Sequence, residues 1–329
     1  VTETRSEQTA DAILKGEIRA AAKLMREIDD GLPRALETLK LLYPHAFKAQ
    51  IWGITGSPGV GKSTLTDALV TRLRKEGKTV GVVAVDPTSP FSGGAILGDR
   101  VRMQRHATDD GVFIRSLATR GHFGGITAST RGVVTVLAAM GKDVVIIETV
   151  GVGQDEVDVV AAADTTIVVT VPGMGDDVQA IKAGILEVGD VFVVNKADRD
   201  GVETTAGQLE SMLAMERDAP RRAGWKPPVV RTIASQGTGL DELLQAIDGH
   251  RAVLISGDGG LLAQRRRERA RMEVMDILRA RTLRMLEERL TTDGRLEELA
   301  DAIIDGRSDP YTASEDLMTG LFKEGRWQA

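Results

Sequence analysis

The chain contains no cysteine, which excludes disulfides, thiolate metal sites and cysteine nucleophiles together. Histidine is nearly as scarce. Its four copies, His45, His106, His122 and His250, show no i,i+4 pairing and no HxH spacing, which argues against a metal-delivery role. No apolar run approaches the ~18–20 residues that span a bilayer, so no membrane segment is expected. The first 30 residues are charged and helix-like without a continuous apolar core, so no signal peptide is expected either. The sequence begins at Val1 rather than Met, which leaves room for native residues before it, and a cytoplasmic location is the expectation. A basic excess is missing as well. The net charge of −6 argues against a nucleic-acid binder, which needs a positive face.

What is present is the balance of a globular protein, 42% hydrophobic and 27% charged over 329 residues. Three zones follow. Residues 1–48 carry amphipathic helical patterns and form an N-terminal helical extension. Residues 49–255 alternate short apolar runs with helical stretches, the pattern of an α/β domain with a mostly parallel sheet covered by helices on both faces. The runs are 51–55, 80–85, 112–115, 144–147, 166–171, 191–194 and 229–233; several are rich in Val and Ile, as strands buried on both faces require. Residues 256–329 contain no strand pattern and form a helical arm, one long charged helix followed by two shorter ones. Arg265, Arg266, Arg267 and Arg269 cluster on the long helix, and the acidic residues that follow suggest a solvated face. Met272, Met275, Leu278, Leu283 and Leu286 recur there at helical spacing and need a surface to pack on, in this chain or another subunit.

The segment Gly56-Ser57-Pro58-Gly59-Val60-Gly61-Lys62-Ser63-Thr64 fits G-x-x-x-x-G-K-[ST] between an apolar strand and a helix pattern. Glycines let successive N–H groups turn toward phosphate oxygens, and the helix N-terminus adds its dipole. Lys62 then serves the β/γ-phosphates, and Ser63 offers Mg2+ a hard oxygen. The sequence Asn195-Lys196-Ala197-Asp198 follows a later strand and reads as N-K-x-D. A carboxylate at Asp198 accepts two N–H donors from guanine, whereas adenine leaves it unpaired. The stem of Lys196 can cover the base, and Asn195 can tie this loop to the phosphate loop. Ala234, Ser235 and Gln236 end another strand and could bring a backbone N–H to guanine O6, although a plain turn fits them too. The ligand expected is GTP or GDP.

Three carboxylates fall where a metal and an attacking water need them: Asp86 and Glu148 at strand ends, and Asp99 in a glycine-rich loop. Each also fits an ordinary cap, Asp86 before Pro87 above all. Glu148 opens an E-x-x-G segment where GTPases commonly have D-x-x-G, so water-mediated contact with Mg2+ is expected. Gln154 is a candidate polar group near the γ-phosphate. No arginine is marked as a finger, so hydrolysis is expected to be slow without a partner. Residues 90–105, 150–158 and 172–182 combine glycine with polar groups and read as loops that could switch, or as plain structural loops.

Taken together, GSPGVGKST, VDPTSP with FSGGAILGDR, ETVGVGQDEVD, VPGMGDDVQAIKAG, NKAD and DPYTASEDL resemble the MeaB/ArgK family along essentially the whole chain. These are bacterial counterparts of the human MMAA protein, G3E-related P-loop GTPases of the SIMIBI class. The resemblance implies a GTPase chaperone of adenosylcobalamin-dependent methylmalonyl-CoA mutase, gating cofactor loading and protecting or reactivating that enzyme. It implies phosphate binding at Lys62, Ser63 and Thr64, and metal or catalytic work at Asp86, Asp99 and Glu148. It further implies guanine recognition at Asn195, Lys196 and Asp198, a partner-sensing switch at 173–182, and a homodimer formed through the C-terminal helices. Two other readings remain open: a kinase or ATPase of amino-acid (LAO/AO, arginine) transport, and a nickel-insertion GTPase, which the missing cysteines disfavour.

Overall fold

The computed structural model describes residues 4–86, 103–118, 128–149, 162–173, 186–187, 189–215, 224–256, 260–292 and 294–323. Asp99, Gln154 and the expected switch segment from 174 to 182 lie outside the described residues, as does the side chain of Asp86.

Three helices come first: α1 (Arg5–Leu14), α2 (Ile18–Asp29) and α3 (Pro33–Leu42). A capping box opens α1. The Glu7 N–H donates to Thr4 Oγ1 at 3.2 Å, and the Thr4 N–H donates to the Glu7 carboxylate at 2.6 Å. Proline at the first position starts α3, where its missing N–H costs nothing.

Strand and helix then alternate through β1 (Gln50–Thr55), α4 (Lys62–Lys75), β2 (Val80–Asp86), β3 (Val112–Ala118), α5 (Ala128–Ala139), β4 (Val144–Thr149), β5 (Thr165–Thr170), β6 (Val191–Asn195), α6 (Val202–Met215), β7 (Val229–Thr232) and α7 (Leu240–Ile255). The seven described strands form one sheet in the order β3-β2-β4-β1-β5-β6-β7, and every pairing is parallel. All carboxyl ends therefore share one edge, where open sheets of this kind place ligands. Each of the seven expected runs is a strand. The largest difference is β3, which runs three residues past Arg115 because its backbone stays paired with β2 as far as Asp86 and Ala118.

Alternation along the strands divides the core. On β4, Val144 and Ile146 face a cluster built with α4 and α7, whereas Val145 and Ile147 face one built with α5 and the N-terminal helices. Ile13, Leu24, Met25 and Leu42 are fully buried in that second cluster beside Val83, Val85 and Val145. The N-terminal helices therefore form part of the layer that covers one sheet face.

Contacts divide the chain into two units, Val1–Arg269 and Ala270–Ala329. The boundary falls within α8 (Gly260–Thr292), which precedes α9 (Arg295–Ile304) and α10 (Pro310–Lys323). In the second unit Met272, Met275, Leu278 and Leu283 are exposed. No described helix is long and apolar enough to cross a membrane.

The arginine cluster departs from the solvated face expected of it. Arg265 donates to both carboxylate oxygens of Asp190 at 2.9 and 3.1 Å, and Arg269 donates to Asp164 at 2.5 Å. Both aspartates are buried immediately before a strand, Asp164 before β5 and Asp190 before β6, and each accepts a backbone N–H, from Ile51 and Thr166 respectively. Buried carboxylates need paired charge, and the guanidiniums provide it at the amino edge of the sheet. Sequence spacing showed the acidic neighbours on the helix but not these distant partners.

Leu24→Ala should destabilise the protein by about 2–5 kcal/mol, as burial of this kind predicts. Leu36→Ala, at an exposed position, should change stability by under about 0.5 kcal/mol. Guanidinium denaturation followed by circular dichroism checks both, and a single transition unmoved by Leu24→Ala would mean the helices fold apart from the sheet.

Candidate nucleotide site

The phosphate loop leaves β1 at Thr55, in the middle of the sheet. Gly56 has φ +136°, and a Cβ there would lie 2.0 Å from the carbonyl oxygen of Val169 on β5. Gly61 has φ +94°, and its Cβ would lie 2.6 Å from Asn195 Nδ2. Both positions combine left-handed backbone with close approach, so only glycine fits. Helix α4 starts directly after Gly61 without a side-chain cap, so its first-turn N–H groups face the loop. Lys62 is buried, and its Nζ donates to the carbonyls of Gly56 at 2.6 Å and Ser57 at 3.0 Å. The lysine thus lies across the loop whose amides it would assist.

Glu148 reaches the same place from β4. Register sets it beside Ile54 of β1 and Ala84 of β2, and alternation points it to the face of Val144 and Ile146, which carries α4. Its carboxylate accepts a hydrogen bond from Ser63 Oγ at 2.5 Å, with both residues buried. Asp86 ends β2 one register step beyond the Val85–Thr149 pair, on the same edge.

The second loop follows β6. Asn195 is buried and uses both ends of its carboxamide. Nδ2 donates to the Val60 carbonyl at 2.9 Å, while Oδ1 accepts from Thr232 Oγ1 and the Ala234 N–H, each at 3.1 Å. Lys196 donates from Nζ to the Gly59 carbonyl at 2.7 Å and holds φ +56°. The Ala197 N–H donates to the Thr232 carbonyl at 3.0 Å, and Asp198 is exposed beyond it. In the segment after β7, the Ala234 N–H is taken by Asn195 and the Gln236 N–H by Ile233 O at 2.9 Å. Among the described residues the Ser235 N–H has no such bond, which makes it the donor of the three most available to a ligand.

The structure therefore brings Gly56, Ser57, Gly59, Val60, Gly61, Lys62, Ser63 and Thr64 to one edge with Glu148, Asn195, Lys196, Asp198, Ala234, Ser235 and Gln236. Thr232 escaped the sequence reading. Its signal was its place as the last residue of β7, in register with Asn195.

Residues 21–291 match the family described as methylmalonyl Co-A mutase-associated GTPase MeaB. The chain belongs to the MeaB family. A relative from Pyrococcus horikoshii, named as a GTPase, is 46% identical over 309 residues, covering 94% of this chain and 96% of its own. The methylmalonic aciduria type A homolog of Caenorhabditis elegans is 32% identical over 272 residues, covering 82% of this chain and 68% of its own. The crystal structure of an LAO/AO transport system kinase superposes with a TM-score of 0.72 at 27% identity, over 98% of this chain and 99% of that one. Membership makes this MeaB-family chain a P-loop GTPase, an enzyme that binds GTP and GDP.

Asn195→Ala should weaken GDP binding by roughly 10- to 100-fold, because the three hydrogen bonds that hold the phosphate loop and the segment after β7 to the N-K-x-D loop are lost at once. Calorimetric titration of GDP checks this, and wild-type affinity would show the two loops to be positioned independently.

Proposed function

We propose that this chain is a GTP-hydrolysing chaperone of an adenosylcobalamin-dependent methylmalonyl-CoA mutase, gating cofactor loading and protecting or reactivating that enzyme in the cytoplasm. One observation carries the nucleotide half of the reading: the Asn195 carboxamide joins the phosphate loop to the N-K-x-D loop on one sheet edge. A single purine nucleotide can then be gripped at both ends. The mutase half is supported by the family's own description as mutase-associated.

In this reading the amides of residues 56–64 cradle the phosphates, and Lys62 leaves the Gly56 and Ser57 carbonyls to neutralise the β/γ oxygens. The Asp198 carboxylate accepts the guanine N1 and N2 hydrogens, the Lys196 stem covers the base, and the Ser235 N–H serves O6. Ser63 Oγ and the Glu148 carboxylate form a buried, all-oxygen donor pair of the hardness that suits Mg2+, and Asp86 and Asp99 are its further candidate ligands. When bound, Mg2+ would offset negative charge on the phosphates. Glu148 and Asp99 are the candidates for orienting the attacking water. Hydrolysis is slow for the chain alone and rises with the partner. The exposed Met272–Leu283 residues of α8 support a homodimer through the C-terminal helices.

Two experiments test this reading. Asp198→Asn should lower GTP affinity on the order of 100-fold and raise tolerance for XTP, because position 2 of xanthine bears a carbonyl that an amide can meet. An unchanged GTP/XTP preference in competition would remove Asp198 as the base reader. Incubation with γ-labelled GTP and purified mutase should release free phosphate faster than the chain alone. Label transferred to protein would instead favour the transport-kinase activity named for the superposed structure.

A further inference from the structure

The amino edge of the sheet, opposite the nucleotide loops, holds a cavity of about 140 Å3 between the start of β1, α7 and the first turns of α8. Its floor is apolar: Trp52 and Leu254 are buried there, and the Trp52 Nε1–H is already given to Gln50 Oε1 at 3.3 Å. The volume is close to that of a single aromatic ring.

The polar groups around it are unbalanced. Lys48, Arg251 and Arg266 line the cavity against one carboxylate, Asp164. That carboxylate is already occupied, since it accepts from Arg269 at 2.5 Å and from the Ile51 N–H at 3.2 Å. Arg266 lies over the Phe47 ring at 5.9 Å. The side chains of Lys48 and Arg251 have neither an acidic partner nor a hydrogen bond among the described residues. Lys48 is exposed and Arg251 half-buried, so both charges are open to an anion at the cavity. Ligand sites combine such features: an apolar body pocket and a few converging polar groups.

We propose that this cavity is a second ligand site, taking a compact organic anion whose ring-sized apolar body rests on Trp52 and Leu254 while its phosphate or carboxylate head meets Lys48 and Arg251. The site stands apart from the nucleotide edge and does not depend on the mutase reading.

The test uses the full chain saturated with GDP and Mg2+, so that the phosphate loop is filled and cannot compete for the probe. Phenyl phosphate and benzoate are titrated separately by calorimetry. At least one should bind saturably at one site per chain, with Lys48→Gln and Arg251→Gln each weakening it by about tenfold, the effect of losing one charged contact. Tighter binding of phenyl phosphate supports the proposal with a phosphomonoester ligand, and tighter binding of benzoate supports it with a carboxylate. Absence of saturable binding by both probes, or binding unchanged in both variants, overturns it.

Discussion

A single buried carboxamide holds the functional edge of this protein together. Asn195 donates to the carbonyl of Val60 and accepts from Thr232 and Ala234, so three loops from three separate strands converge on it. Buried amides are costly unless both ends are paired, and here both are. The close packing extends to Gly61, whose missing side chain leaves room for the amide nitrogen. Parallel strands bring these loops to one edge; the carboxamide fixes their spacing. Guanine selectivity and phosphate binding are separate chemistries, but in this fold one side chain couples their geometry.

Much of the architecture could be read in the chain itself. Unbroken Val/Ile runs marked the buried strands, and the glycine-lysine-serine pattern after the first of them located the phosphate loop. Glu148 was legible as a strand end, but its place on the α4 face with Val144 and Ile146 came from the structure, because the strand is apolar on both faces. The partners of Arg265 and Arg269 were not legible. Asp190 and Asp164 are 75 and 105 residues away, and only the pairing of β5 and β6 brings them to the helix. The N-terminal helices showed their apolar faces in sequence without showing what those faces cover. Local periodicity reveals that a face is buried, whereas its counterpart depends on tertiary packing.

The two edges of the sheet handle charge differently. At the carboxyl edge Lys62, Ser63 and Glu148 sit among backbone groups suited to a phosphate and a hard cation. At the amino edge, guanidinium groups of α8 neutralise buried aspartates that also anchor strand backbone, and His250 lies 3.3 Å from the same Asp190 carboxylate. Desolvation offsets much of the attraction in buried ion pairs, while leaving one partner unpaired is costly. Their effect here is to fix the first turns of α8 against β5 and β6.

Lys196 is the only non-glycine with positive φ among the described residues, and a side chain in that conformation costs roughly 1 kcal/mol. Glycine would relieve the cost but would remove the amine that reaches Gly59 and the stem proposed above to cover the base. That lost hydrogen bond and the freer unfolded backbone of glycine offset the relief, so heat resistance gives little reason to replace the lysine. The strained backbone is thus carried at little net loss, and a lysine stays in a conformation that most chains leave to glycine.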